Sequence, residues 1–482
     1  MRNTWTAVAV AVLSVTVLAQ PAPSGLLDSY VRARQIIDRA VAAHGGLDAL
    51  RSARQMRVTR EGHDVWRHQS RAVAPPYDRE RFTSELHIDL ANGRLVAEEK
   101  RTYPGGTHRH FSFVTAPGQS YYFNHRSRTY LPDEYPPAGT QSGNLYTLPQ
   151  LAVLAAHESG MAARSLGRIT LSTGAPVDAV VTTANGGTLT AGFDPDTHLL
   201  RALLSVRTDA VEGPASNETE FLSYRTIDGV LMPERRVMRV AGEIIQDTTF
   251  TKVTRNYTVP DAAVKPPGEY EKVTPNETPA VRELAPGAWL VGGDAASLVV
   301  AMDDHVIVVD APTGASSRIA EQIDKLAPGK PVRYVVPTHH HDDHAPGLRA
   351  LVNPGTVVVT TPGNAALFER IVRPAIEIVR QSRAFKSGNR ILEIHDIGPS
   401  PHANEMLVAW LPAEGILFSS DLVDLGAEGR VRPGRNNETT MHYAQWLRER
   451  KWTVRTHAGG HGGVIADAVF QALIRQPITR QQ

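Results

Sequence analysis

The feature that most constrains this chain is a run of four histidines and two aspartates behind a short apolar segment. The run occupies residues 338–347 and reads THHHDDHAPG, and the apolar segment is 332–336. An apolar segment of this length predicts a buried strand, so the polar run is predicted to form a loop at its carboxyl end. Because imidazole and carboxylate groups suit zinc and its first-row neighbours, we predict a metal-binding loop.

The spacing within the run limits which side chains can share one ion. In an extended chain His339 and His341 point to one side, whereas His340 points to the other. Asp343 keeps the parity of the first pair, and a turn after it would bring His344 round. This pattern predicts two ligands for one ion and two for a neighbouring ion, and a solvated polar loop is the alternative.

The run resembles the H-x-H-x-D-H signature of the metallo-β-lactamase superfamily of hydrolases, and the resemblance covers residues 282–474. It implies an α/β domain built as an αββα sandwich, with ligands on loops at strand ends. Apolar runs and helical spacing give a matching order of elements. We predict strands at 297–302, 305–309 and 356–361, and helices at 316–326 and 364–380, the last kinked or split by Pro374.

Three downstream residues stand where the family carries its remaining ligands. His402 precedes the apolar run 406–412, Asp421 ends the apolar run 416–421, and His461 lies in a Gly-His-Gly sequence. Asp421 matches the aspartate that bridges both metals in members similar to glyoxalase II and to lactonases. The resemblance therefore implies two sites, which are His339, His341, His402 and Asp421, and Asp343, His344, Asp421 and His461.

Several residues close to these predicted ligands are not themselves predicted to bind metal. His340 and Asp342 are predicted to take no part in metal binding, because they have the opposite strand parity. His457 precedes His461 in the same loop and is left as a supporting or surface residue. Ala345 and the proline after it depart from the glycine-rich continuation often seen in the family, which could reshape the site entrance.

This ligand set predicts a hydrolase with two zinc ions, and iron or manganese would accept the same ligands. Asp343 is the predicted catalytic residue, since it can orient the nucleophile and pass on a proton. The predicted substrates are small molecules with an ester, lactone, thioester or amide bond. Two alternatives remain open: a periplasmic carrier or assembly factor with a non-hydrolytic metal domain, and a mononuclear iron oxidoreductase.

Composition narrows these choices. Lysine and arginine total 51 against 50 aspartates and glutamates, so the net charge is close to zero. Because a nucleic-acid partner usually requires a basic surface, we predict no nucleic-acid partner. The chain contains no cysteine, which excludes disulfides, a thiol nucleophile and thiolate ligands. Its 482 residues predict more than one domain.

Residues 1–19 are predicted to be a secretory signal peptide. Arg2 precedes the apolar run 7–19, and Val17 and Ala19 fit a cleavage site before Gln20. The run is short for a membrane span, which needs about 20 residues, although an uncleaved anchor is the alternative. We therefore expect a periplasmic or secreted protein with no stable membrane span after cleavage.

Residues 24–257 are predicted to form a mainly antiparallel β domain with a few helices. Helical spacing over 26–41 stops at two glycines, and strands with turn signals such as Asn92-Gly93 follow. Two short stretches, 42–51 and 228–233, resemble the half-barrel domain of outer-membrane lipoprotein-sorting proteins, which implies a groove for a hydrophobic ligand or partner. The proline-rich residues 258–281 are the predicted linker to the domain at 282–474.

Overall fold

The computed structural model describes residues 25–102, 108–132, 148–184, 187–273, 280–293, 295–423, 425 and 437–476. The predicted signal peptide lies outside these residues and stays a prediction. The described part of the chain divides into an amino-terminal β-rich domain and a carboxy-terminal domain of two stacked sheets with helices on both outer faces. None of the described helices is long and apolar enough to cross a bilayer.

The amino-terminal domain is built on one large sheet. Its strands are β1 (Gln55–Val65), β2 (Arg79–Asp89), β3 (Arg94–Thr102), β4 (His108–Ala116), β5 (Gln119–Asn124), β6 (Thr129–Pro132), β7 (Arg164–Thr170), β8 (Pro176–Ala184), β9 (Gly187–Phe193), β10 (Leu200–Asp209), β11 (Gly213–Ile227), β12 (Val230–Val240), β13 (Glu243–Arg255) and β14 (Glu271–Lys272). The spatial order is β14-β6-β5-β4-β3-β2-β1-β13-β12-β11-β10-β9-β8-β7. Among the described pairs only β14 with β6 is parallel, so the prediction of a mainly antiparallel domain is confirmed.

Three helices pack on this sheet: α1 (Gly25–Ala43), α2 (Gly46–Ser52) and α3 (Pro149–Glu158). Helix α1 directs Ala33, Ile37 and Ala40 into a core that it shares with α3 and with β8 to β11. The predicted stop at the two glycines is correct, because Gly45 has a φ of 89°. The short helix α2 that follows at once was not predicted, and it buries only Leu50.

His44 directly follows α1, is buried, and gives the domain a dependence on pH. Its Nδ1 lies 2.8 Å from the Ala40 carbonyl oxygen, and burial lowers its pKa from 6.5 to about 4. The unfolded chain therefore binds a proton between these pH values that the folded chain does not bind. The contribution of the neutral His44 ring to the free energy of unfolding is fully present above pH 6.5. It is lost as the pH drops toward 4, by on the order of 3 kcal/mol.

A His44→Gln variant cannot take up that proton, so its loss of stability between pH 6.5 and 4 should be smaller than that of the wild type. Urea titrations at pH 7 and at pH 5, followed through the unfolding of the amino-terminal domain, measure how much free energy of unfolding each protein loses between the two pH values. An equal loss in both proteins would assign the pH dependence to other groups.

The carboxy-terminal domain contains two sheets. The first consists of β15 (Val281–Ala285), β16 (Ala288–Val291), β17 (Ser297–Ala301), β18 (Val306–Val309), β19 (Val332–Val336), β20 (Val357–Thr360) and β21 (Ala375–Ile378), in that order. The second consists of β22 (Ser382–Ser387), β23 (Arg390–Asp396), β24 (Leu407–Leu411), β25 (Ile416–Ser420), β26 (Thr456–Gly459) and β27 (Val464–Ala466), also in chain order. Both sheets mix parallel and antiparallel pairs.

Apolar side chains fill three layers of this domain. Ile307 and Val336 of the first sheet meet Phe418 of the second in the layer between the sheets. Val308 points to the opposite side of the first sheet, which explains why its strand is apolar without alternation. Helices cover both outer faces, with α4 (Ser316–Leu326), α5 (Leu348–Leu351) and α6 (Ala365–Val372) on the first sheet and α7 (Glu438–Arg448) and α8 (Asp467–Ile474) on the second. This is the predicted αββα sandwich.

Two predicted segments differ from the structure. The helix predicted over 364–380 ends at Val372, where Arg373 adopts a φ of 48°, and Pro374 leads into the strand β21 instead of a second helical half. Proline has no backbone N–H and disfavours helical conformation before it, which accounts for this end. Part of the predicted linker packs against the amino-terminal sheet, because Val259 and Val264 are buried there.

The two domains contact each other through charged and backbone groups and through Val211, which joins the apolar cluster of the first carboxy-terminal sheet and its helices. The Arg349 guanidinium, on α5, donates to the carbonyl oxygens of Ala210 and Val211 in the amino-terminal domain. Arg370, on α6, forms an ion pair with Glu212. These contacts bring the connection between β10 and β11 next to the helices of the first carboxy-terminal sheet.

Candidate metal centre

The histidine-rich run forms a loop directly after β19, as the sequence predicts. The adjacent strand β18 ends just before Asp310, and β25 of the other sheet ends just before Asp421, so the loops converge at one edge of the sandwich. The rings of His339, His341 and His344 are at most 1% exposed. Buried imidazoles of this kind form the floor of the site.

The structure brings together the first predicted group: His339, His341, His402 and Asp421. One ligand atom from each lies within 4.8 Å of the others. His339 Nε2 is 3.1 Å from His402 Nε2, and His402 Nε2 is 3.4 Å from Asp421 Oδ2. Donor atoms from separate loops thus face one common point.

The second predicted group, Asp343, His344, Asp421 and His461, also lies within 4.8 Å. Asp421 Oδ1 is 2.9 Å from His344 Nε2 and 3.3 Å from His461 Nε2. Asp343 Oδ2 is 3.6 Å from His344 Nε2 and 3.8 Å from His461 Nε2. The two oxygens of Asp421 therefore face different groups, which is the geometry of a bridging carboxylate.

The donor atoms fit a cation better than they fit one another. His341 Nδ1, His344 Nε2 and Asp421 Oδ1 are buried, and none has a hydrogen-bond partner of good geometry among the described residues. Buried polar atoms are rarely left in this state. Nitrogen and oxygen atoms in two such groups match the ligands that zinc or iron takes in proteins.

Electrostatics keep His339, His341 and Asp421 in the protonation states that metal ligation requires. Burial, together with neighbouring imidazoles, holds the pKa of His339 and of His341 well below its usual value, so both rings are neutral. Burial alone would raise the pKa of Asp421, but the imidazole of His344 and the two others beside it hold that pKa well below its usual value. Asp421 therefore lies between the two groups as a carboxylate. Burial alone would lower the pKa of His344, but the carboxylates beside it hold that pKa well above its usual value. Asp421 also raises the pKa of His461, so a cation must displace a proton from the rings of His344 and His461.

Asp310 and Ser420 support the site, a role that the sequence does not predict for either residue. Asp310 is fully buried, and its Oδ2 accepts hydrogen bonds from His344 Nδ1 at 3.1 Å and from Ser420 Oγ at 2.7 Å. Its Oδ1 accepts a hydrogen bond from the Thr338 backbone N–H at 2.7 Å. With Nδ1 donating to Asp310, the His344 ring presents Nε2 to the second group.

Both supporting residues have an unusual backbone conformation. The φ of Asp310 is 66° and that of Ser420 is 47°, in the left-handed region that costs a non-glycine residue about 1–3 kcal/mol. Aspartate followed by Ala-Pro reads as an ordinary turn at the end of a strand, so only its place before a metal loop could have signalled this role. Such strain is common where side chains must be held at a site.

The Gly-His-Gly loop is shaped by the ring of His344. A Cβ added at Gly460 would lie 2.5 Å from His344 Cε1, and Gly462 has a φ of 80°. Both positions therefore require glycine to place His461. His457 belongs to neither group, because its ring is fully buried with Nδ1 3.0 Å from Tyr443 Oη and Nε2 3.0 Å from Asp467 Oδ1.

His340 and Asp342 also lie outside both groups. His340 is 3% exposed, and its Nε2 has no hydrogen-bond partner among the described residues. Asp342 Oδ1 accepts a hydrogen bond from Gln69 Nε2 at 2.6 Å. Both residues face residues of the amino-terminal domain between β1 and β2, so this part of the amino-terminal domain lies behind the metal loop.

Comparison with known proteins agrees with this architecture. The family model described as the metallo-β-lactamase superfamily matches residues 290–453. The carboxy-terminal half thus contains a metallo-β-lactamase superfamily domain, a hydrolase-like domain with a histidine and aspartate cluster suited to metal. The match does not extend to the amino-terminal domain, whose resemblance to lipoprotein-sorting proteins stays a prediction.

Several solved structures are similar to this chain. A metallo-β-lactamase from Erythrobacter litoralis is 22% identical over 40% of this chain and 93% of its own, with a TM-score of 0.32. A metallo-β-lactamase from Pontibacter korlensis is 17% identical over 58% and 100%, also with a TM-score of 0.32. A stereoselective inverting sec-alkylsulfatase from Pseudomonas sp. is 16% identical, and the match spans only 40% of either chain, with a TM-score of 0.33.

Proposed function

We propose that this protein is an exported hydrolase with a dinuclear metal centre, acting on a small ester, lactone, thioester or amide. The observation that carries the proposal is the position of Asp421, whose Oδ2 faces His402 and whose Oδ1 faces His344 and a second imidazole. A single carboxylate shared by two donor groups suits two ions, whereas a mononuclear site would use only one of the two donor groups.

The chain would hold one cation with His339, His341 and His402, the other with Asp343, His344 and His461, and both with Asp421. When bound, such a pair supplies Lewis acidity and lowers the pKa of a water molecule from far above neutrality toward about 7. The absence of cysteine and of a Gly-x-Ser-x-Gly sequence agrees with chemistry that needs no side-chain nucleophile.

The exposure of the donor residues indicates where a substrate would enter. The side chains of His461 and Asp343 are 42% and 36% exposed, whereas the rings of His339, His341 and His344 are buried. The substrate's carbonyl group would therefore approach past His461. Asp343 holds Oδ2 toward this open side, where it can orient an attacking water and accept its proton.

Metal content and turnover test the proposal together. Purified protein should carry about two equivalents of metal, the number that a two-metal site requires. It should cleave members of a panel of esters and lactones, and chelation or His341→Ala should abolish this cleavage. The matched control is His63→Ala, which removes an exposed histidine of β1.

Other results would identify another class of protein. Full activity after complete metal removal would contradict a metal-dependent hydrolase. One iron per chain with oxygen uptake would indicate an oxidoreductase. An absence of turnover with micromolar binding of an acylated ligand would indicate a carrier.

A further inference from the structure

A short segment of the amino-terminal domain lies directly behind the metal loop. It consists of residues 68–71, in the connection between β1 and β2. The His68 carbonyl accepts a hydrogen bond from the Asp342 backbone N–H at 3.1 Å, and the Arg71 carbonyl accepts one from the Asn404 backbone N–H at 2.8 Å. The segment therefore joins the loop of the histidine run to the loop that carries His402.

The Ser70 carbonyl contacts a predicted metal ligand directly. It lies 3.0 Å from His341 Nε2, which must donate its hydrogen because a carbonyl oxygen can only accept. That hydrogen bond fixes the tautomer, so the other ring nitrogen, Nδ1, keeps a free lone pair. His341 Nδ1 is buried without a hydrogen-bond partner among the described residues, so it is the nitrogen left to serve the first donor group.

The Gln69 side chain holds the second predicted site in a similar way. Its Nε2 lies 2.6 Å from Asp342 Oδ1 and 2.8 Å from Asp343 Oδ1, so the two amide hydrogens can serve one carboxylate each. With Oδ1 held by Gln69, Asp343 keeps Oδ2 directed toward His344 and His461.

The segment is itself fixed from the amino-terminal side. The Asp78 carboxylate accepts from the Arg71 guanidinium at 2.7 Å and from the Arg71 backbone N–H at 2.9 Å, while the Ser70 hydroxyl accepts from the Asp78 backbone N–H at 2.9 Å. His68 Nε2 lies 3.2 Å from Asp209 Oδ2 at the end of β10. These bonds tie the segment to the amino-terminal sheet and to the start of β2.

We propose that residues 68–71 position the metal ligands, and that the amino-terminal domain is therefore a working part of the metal centre. The proposal rests on the metal site of the proposed function. Gln69 is a positioning residue, since its amide is hydrogen-bonded to Asp342 and Asp343 and acts on the metal site through Asp343. Because coupling between two equilibria is reciprocal, metal binding should also strengthen the contact between the domains.

The decisive variant is Gln69→Met, which keeps the side-chain volume and removes both N–H donors. The matched control is Gln55→Met, since Gln55 Nε2 also donates to a carboxylate, Asp89 Oδ1 at 3.3 Å, within the amino-terminal domain alone. Zinc affinity is measured by competition with a chromophoric chelator. Loss of a partner that orients a ligand should weaken zinc binding about 10–100-fold in Gln69→Met, and the control should bind as the wild type does.

Two further measurements separate positioning from general damage. The cobalt-substituted protein should show an altered ligand-field spectrum in Gln69→Met and an unaltered one in the control. Zinc should slow amide hydrogen exchange of residues 66–71 in the wild type, and less so in the variant. Gln69→Glu, which places a third carboxylate beside the other two, provides a second variant if the methionine protein fails to fold.

The outcomes distinguish the two proposals. If the wild type binds no metal, the proposed function itself fails. If the wild type binds two zinc ions and Gln69→Met matches the control in affinity, spectrum and exchange, the positioning role is overturned while the proposed function stands.

Discussion

An Asp421→Asn variant is expected to lose at least one of its two metal ions and almost all hydrolytic activity. The substitution keeps the shape of the side chain but removes the charge that faces both donor groups through Oδ1 and Oδ2. A loss of about 4 kcal/mol of transition-state stabilisation is reasonable for a metal site, and it corresponds to a rate about 10³-fold lower. Elemental analysis and turnover of the best ester or lactone measure both effects.

Asp467→Asn is the matched control for that experiment. Asp467 also pairs with a buried histidine of the same domain, His457, at 3.0 Å, but neither residue belongs to the two donor groups. The control should keep both ions and its activity. If Asp421→Asn retained two ions per chain and wild-type turnover, the bridging role of Asp421 would be wrong.

Of the single substitutions near the site, Asp310→Ala is expected to destabilise the protein most. Asp310 is fully buried and accepts hydrogen bonds from His344, Ser420 and the Thr338 backbone. Removing one partner of a buried charged network costs about 3–5 kcal/mol. Alanine is also poorly suited to the φ of 66° at this position. Urea unfolding with excess chelator measures this loss without the contribution of bound metal.

Asp310→Asn separates the two causes of that loss. Asparagine tolerates a positive φ and can still accept from the Thr338 backbone N–H at one oxygen, but its amide nitrogen cannot accept from His344. Its stability should lie between those of the wild type and Asp310→Ala. Its zinc affinity should still fall about 10–100-fold, because His344 loses the group that orients it. An Asp310→Ala protein as stable as the wild type would show that the hydrogen bonds contribute little.

The sequence predicts the carboxy-terminal fold well because its elements have local causes. The strand before the histidine run and the helix Ser316–Leu326 follow from apolar runs and helical spacing, and the structure has both at the predicted bounds. Strand parity separates His339 and His341 from His340 without any knowledge of the fold. His402, Asp421 and His461 needed the family resemblance, since nothing local indicates that three distant loops converge.

Other features could not be read from local patterns. The short helix α2 after the two glycines buries little apolar surface, so its sequence has almost no periodicity. The role of Asp310 depends on a hydrogen bond to a histidine 34 positions away. Gln69 meets Asp343 across 274 positions and a domain boundary, and a single glutamine in a loop carries no signal of such a contact.

The carbonyl that fixes His341 belongs to Ser70, so the seven predicted ligands are not a self-sufficient unit. A fragment cut at the proline-rich linker would keep every predicted ligand. It would lose the Ser70 carbonyl and the Gln69 amide, which orient His341 and Asp343. Isolated domains of this type, produced for screening or for grafting onto other scaffolds, would then underestimate the affinity and the activity of the intact chain. Engineering that exchanges only the catalytic half should carry residues 66–78 with it.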